Sequence, residues 1–167
     1  ILYCINIDMC TIYENKVKWV ISKDFIMKIK KSLETDSDEI AGALLFEDSC
    51  KGNVCNKKST EFKINNGNGS SVLTPHGIIN FHTHPRSAYN GQDAVYGWPS
   101  GEDMAQTIVF AKKNNLIHIV FTLEGAYIIH VKKTIAEKDN KILEKIIKRT
   151  HVFRSSNQSK QYSDFKK

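Results

Sequence analysis

Apolar residues recur along this chain with two periods, and their alternation predicts a sheet with helices packed on it. Ile26, Ile29 and Leu33 follow a helical spacing behind Ser22, a residue type that caps helix starts, so a helix is expected over about 23–33. Two short strands, Leu2–Asn6 and Val17–Ile21, are expected before it, with Glu14-Asn15-Lys16 turning into the second. Glu39 to Phe46 is a nearly continuous apolar run, the pattern of a strand buried on both faces. Residues 47–60 are polar and read as a loop, and Thr60–Asn65 alternates weakly, as an edge strand does. Gly77–His84 reads as a strand ending before Pro85, which has no N–H to donate. A long loop is expected over 86–99 and a helix from Gly101 to Asn114, with Met104, Ala105, Ile108 and Ala111 on one face. Leu116–Leu123 and Ala126–Val131 read as a hairpin turning at Glu124-Gly125. Ile135, Ile142, Leu143, Ile146 and Ile147 mark a third helix. The expected organisation is one α/β domain over residues 1–150, a central sheet flanked by helices, with a basic polar tail over 151–167.

Composition narrows the class. The 167 residues are 41% apolar and 25% charged, as in ordinary globular domains, and no apolar run reaches the ~20 residues that span a bilayer. A net charge of +6 raises the question of nucleic acid. Its Lys clusters are short, however, and no RNP aromatic motif, zinc finger or Arg stripe accompanies them, so solvated helix faces are the better account. Neither a nucleic-acid nor a membrane partner is expected. Cys4, Cys10, Cys50 and Cys55 lack C-x-x-C spacing, and free thiols suit a reducing, intracellular compartment. Ile1 in place of Met is what a fragment or processed product shows, and the Lys- and Asn-rich composition suits a virus or an AT-rich genome.

The chemistry concentrates in Phe81-His82-Thr83-His84-Pro85 and Trp98-Pro99-Ser100-Gly101-Glu102-Asp103. Residues two apart on a strand share a face, with Cα atoms ~6.6 Å apart, so both imidazoles can reach one ion. Alone, H-x-H is matched as well by a chance surface pair. Ser100 with Asp103 three residues on is a capping box, which sets a carboxylate at a defined helix start. Three ligands with one position open describe a catalytic rather than a structural metal. Glu39 stands at the mouth of the most apolar strand, with Glu34, Asp36 and Asp38 as neighbouring acids. His76, His118, His130 and His151 match no motif and are expected to be ordinary packed or polar histidines.

Taken together, Glu39-Ile40-Ala41-Gly42, His82-Thr83-His84-Pro85 and Pro99-Ser100-Gly101-Glu102-Asp103 resemble the pattern of the JAMM (MPN-plus) zinc metalloproteases, in the same chain order, over about residues 20–131. The resemblance implies an MPN-like fold, a cytidine-deaminase-like sandwich with a mixed sheet. It implies Zn²⁺ on His82, His84 and Asp103, with Glu39 as general base and Ser100 stabilising the oxyanion. The implied activity is that of an isopeptidase (deubiquitinase) freeing ubiquitin or a ubiquitin-like protein from lysine. Related branches imply two alternatives: cleavage of a linear peptide or sulfur-carrier precursor, and a non-catalytic MPN scaffold bound to a protein partner. One departure stands out. Eighteen residues separate His84 from Asp103, against the family's usual gap of about ten. Asp93, after eight residues, is the competing ligand, without a helix behind it. The additional residues would form a flap, offering Tyr89, Tyr96 and Trp98 to a substrate, although plain packing accounts for these aromatics equally well.

Overall fold

The computed structural model describes residues 2–4, 11–14, 17–35, 38–51, 54–67, 72–92 and 97–131, together with 141, 142, 144, 145 and 148. Its elements in chain order are β1 (Leu2–Cys4), β2 (Thr11–Glu14), β3 (Val17–Val20), α1 (Lys23–Thr35), β4 (Ile40–Lys51), β5 (Val54–Asn66), β6 (Ile79–Thr83), α2 (Arg86–Gln92), α3 (Gly101–Lys112), β7 (Ile117–Thr122) and β8 (Gly125–Ile129). The strands form one mixed sheet in the order β1-β8-β7-β6-β4-β5-β3-β2. Pairing is parallel between β3 and β5 and between β6 and β7, and antiparallel elsewhere. The fold is α/β, as the alternation of periods predicts.

The pleat divides the central strands into two faces. On one, Phe81 and Phe121 meet Phe25 edge-on at 5.0 and 5.8 Å, and Ile26, Ile29 and Leu33 of α1 complete the main core. The Ser22 hydroxyl accepts the Phe25 N–H at 3.3 Å, so α1 starts where the sequence places its cap. On the other face Val120, Tyr127 and Ile129 pack with Met104 of α3 and with Trp98. Asn80, His82 and His118 are buried on this second face, beneath α3.

Three expectations change. Residues 47–60 are not a loop: β4 runs on to Lys51 and β5 begins at Val54. Beyond the core the register of this hairpin pairs Glu47 with Lys58 and Asp48 with Lys57, so polarity conceals the strands. Thr60–Asn65 does keep its edge character: β3 pairs with β5 only over Cys55–Lys58, and among the described residues 61–66 pair with β4 alone. The loop after Pro85 contains α2, and β2 adds a strand that the periodicity does not mark. Residues 141, 142, 144, 145 and 148 are helical, while the rest of the expected third helix and the 151–167 tail lie outside the described residues.

Candidate metal centre

Strand β6 delivers the histidines. His82 is in its fourth position, and His84 follows with its N–H donated to the Phe121 carbonyl at 2.8 Å, prolonging the pairing with β7. The register Ala41↔His82, carried two residues further, sets Glu39 opposite His84 on the same face. Thr83 locks that approach, since its hydroxyl accepts the Ile40 N–H at 3.0 Å. Helix α3 brings the third group. Its capping box is complete: Asp103 N–H donates to Ser100 Oγ at 3.1 Å, and Ser100 N–H to Asp103 Oδ2 at 2.6 Å. Because Ser100 Oγ accepts within the cap, the cap leaves its own O–H available to donate elsewhere.

The result is a convergence of lone pairs. His82 Nε2 stands 3.0 Å from His84 Nε2 and 3.2 Å from Asp103 Oδ1, and His84 Nε2 stands 3.6 Å from Asp103 Oδ2. Four-coordinate zinc with ligands ~2.0–2.1 Å away holds them about 3.3 Å from one another. A proton can be shared between two of these acceptors, whereas a cation satisfies all three. His82, His84 and Asp103 can therefore hold a metal ion.

The far nitrogens are engaged as well. His84 Nδ1–H donates to Gly97 O at 3.0 Å. His82 Nδ1 lies 2.8 Å from His118 Nε2, and His118 Nδ1 lies 2.8 Å from Asn80 Oδ1. His118 is buried, as a packed histidine would be, and it bonds directly to a candidate ligand. A period-two reading of Asn80, His82 and His84 could have singled out Asn80; nothing in the sequence joins His118 to it, because their pairing belongs to the parallel register of β6 and β7.

Electrostatics follow from burial and proximity. Burial pushes the Glu39 carboxyl above its ordinary value; His82 opposes this and Asp103 adds to it. Burial pushes Asp103 up, but the charge and hydrogen bond of His82, the nearby His84 and the Ser100 amide outweigh it, leaving Asp103 far below the carboxylate range. Burial lowers His82, yet Asp103 and Glu39 raise it on balance. His84 is lowered by burial and then by His82, and His118 falls to about 3 for the same two reasons.

The aromatic residues of the long connection are placed unequally. Tyr89 is 9% exposed, its hydroxyl donating to Glu124 and accepting the Leu123 N–H at 3.0 Å, so it anchors the segment rather than standing open. Trp98 is half-buried and packs at 5.5 Å from the Tyr127 ring. Tyr96 and Asp93 lie outside the described residues. Glu124, which no motif marks, also accepts the Gly97 N–H at 2.8 Å and the Tyr127 hydroxyl at 3.1 Å.

No protein-family profile matches the chain, and no solved structure does. Among curated proteins it is similar to one described as "Uncharacterized protein 3R" from Frog virus 3 (isolate Goorha), with 36% identity over 64 residues. That stretch is 38% of this chain and 14% of the viral protein, so the likeness spans a small part of its length.

Proposed function

We propose that the chain is a zinc-dependent isopeptidase of the JAMM type, hydrolysing the bond between ubiquitin, or a ubiquitin-like protein, and a lysine side chain. One observation carries the reading: two imidazole nitrogens and a carboxylate converge on one point, beside a Glu39 carboxyl whose proton affinity is raised. When bound by His82, His84 and Asp103, zinc supplies Lewis-acid activation of water and of a carbonyl. The rest is the work of the chain's own residues. The Glu39 carboxylate, its proton affinity raised by burial, takes the proton from attacking water and returns it to the departing lysine amine. The Ser100 hydroxyl donates to the oxygen on which negative charge develops. Asp103 stays ionised throughout, and His84, kept neutral by burial, keeps its lone pair. The isopeptide substrate is supported by the motif resemblance, and an intracellular setting by the cysteine pattern.

Purified protein should contain about one zinc per chain by elemental analysis. It should cut a panel of di-ubiquitins or modifier fusions, with Glu39→Gln retaining zinc and losing turnover. Metal-free, inert protein refutes the proposal, and cleavage confined to linear fusions replaces the isopeptide substrate with a linear peptide.

A further inference from the structure

The geometry points to His118, itself held by Asn80, as a positioning residue that sets the tautomer of His82 and so presents a bare Nε2 lone pair to the metal; this rests on the metal-binding reading above. The chain of bonds has a direction, and its origin lies away from the site. Asn80 Nδ2 donates to the Pro75 carbonyl at 3.4 Å, which turns Oδ1 toward His118. An amide oxygen can only accept, so His118 Nδ1 must carry its proton. A neutral His118 then has Nε2 as an acceptor, and the partner 2.8 Å away must be His82 Nδ1–H. His82 therefore has no proton left for Nε2 when neutral, and Nε2 is the atom facing His84 and Asp103.

The reverse arrangement fails at each step. With Nε2 of His118 protonated, Nδ1 of both rings becomes an acceptor, and His118 Nδ1 then opposes the Asn80 oxygen. Flipping Asn80 moves the conflict to the Pro75 carbonyl. All three side chains are buried, Asn80 at 0%, His118 at 1% and His82 at 4% exposure, so water does not readily mend such a conflict. The ring planes of His82 and His118 lie 22° from parallel with centroids 4.9 Å apart, and the facing nitrogens are within bonding distance at 2.8 Å. Metal-binding histidines generally donate the other nitrogen to a carboxylate, a carbonyl or water. Here the acceptor is a second imidazole, whose polarity is dictated by an asparagine.

Two measurements on the full chain test this. Long-range proton–nitrogen NMR of metal-free protein, at a pH where the spectra show both rings uncharged, should find His82 and His118 each protonated at Nδ1. In Asn80→Leu, both rings should become tautomer mixtures. His82 protonated at Nε2 in the unsubstituted protein overturns the inference, whether or not the protein takes up zinc. The second measurement is zinc affinity by competition with a chromophoric chelator. His118→Phe should weaken it about 10–100-fold, and His118→Gln, which still offers an acceptor, should recover part of that loss. Loss of thermal stability in His118→Phe with unchanged zinc affinity makes His118 merely structural and overturns the inference. A chain that binds no zinc but shows the stated tautomers defeats the proposed function instead.

Discussion

Replacing Glu124 with alanine should loosen both the domain and the metal centre, which it braces through Gly97. Its carboxylate accepts from the Tyr89 hydroxyl, the Gly97 N–H and the Tyr127 hydroxyl. Gly97, Tyr89 and Tyr127 are buried, so Glu124→Ala takes a shared acceptor from three donors. Each bond lost at a buried donor costs roughly 1–3 kcal/mol, and bonds to a charged partner lie toward the upper end. Glu124 itself is partly exposed, so water entering its place recovers some of this. A loss of about 2–4 kcal/mol results, equivalent to ~1–2 M in urea midpoint at a slope of ~2 kcal/mol/M. Glu124→Gln keeps an acceptor for part of the set and should lose about 1 kcal/mol. The same carboxylate braces Gly97, whose carbonyl receives His84 Nδ1–H, so zinc affinity should fall roughly tenfold in Glu124→Ala. Urea titration and chelator competition measure the two effects. A midpoint and an affinity both matching the unsubstituted protein would refute the reasoning that this loop is held from the β7–β8 turn.

Further outcomes follow from individual contacts. Asp103→Ala removes one candidate ligand and half of the capping box, so zinc should be lost along with about 1 kcal/mol of stability; in metal-free protein His82 should then titrate lower, read by NMR, because its largest stabilising charge has gone. Gly97→Ala would set a Cβ 2.8 Å from Tyr89 Cζ and 3.1 Å from Thr122 Cβ, an overpacking of about 1–3 kcal/mol detectable in thermal unfolding. In metal-free protein the His82–Asp103 pair makes stability depend on pH from both sides. His82, raised on folding, contributes in full below about pH 6.5 and loses its contribution as pH rises through the folded value; Asp103, depressed, contributes above about pH 3.9 and loses it as pH falls. The stability difference between the unsubstituted protein and Asp103→Ala should therefore be largest between those limits, and a difference independent of pH would count against the pair.

Much of the architecture is legible in one dimension. Ser22 and the Ile26, Ile29, Leu33 stripe place α1 to within two residues of its observed end, and Ser100 with Asp103 places the start of α3, because caps and amphipathic spacing act over a single turn. Period-two placement likewise puts His82 and Phe81 on opposite faces of β6. The β4–β5 extension is not legible, since a strand beyond the core needs no apolar face, and α2 is not, since seven residues carry too little periodicity.

What the sequence determined by itself is the set of local pieces: a strand bearing two histidines, a capped helix start bearing Asp103, and an apolar strand behind Glu39. That these pieces face one another across eighteen intervening residues was decided by tertiary structure, through the antiparallel register of β4 with β6 and the seating of α3 on the sheet. The same holds for Asn80–His118 and for Glu124 with Gly97, both contacts between residues far apart in the chain. Local spacing encodes which way a side chain points from its own element; which distant donor meets it depends on strand order and packing, and these are properties of the whole sheet.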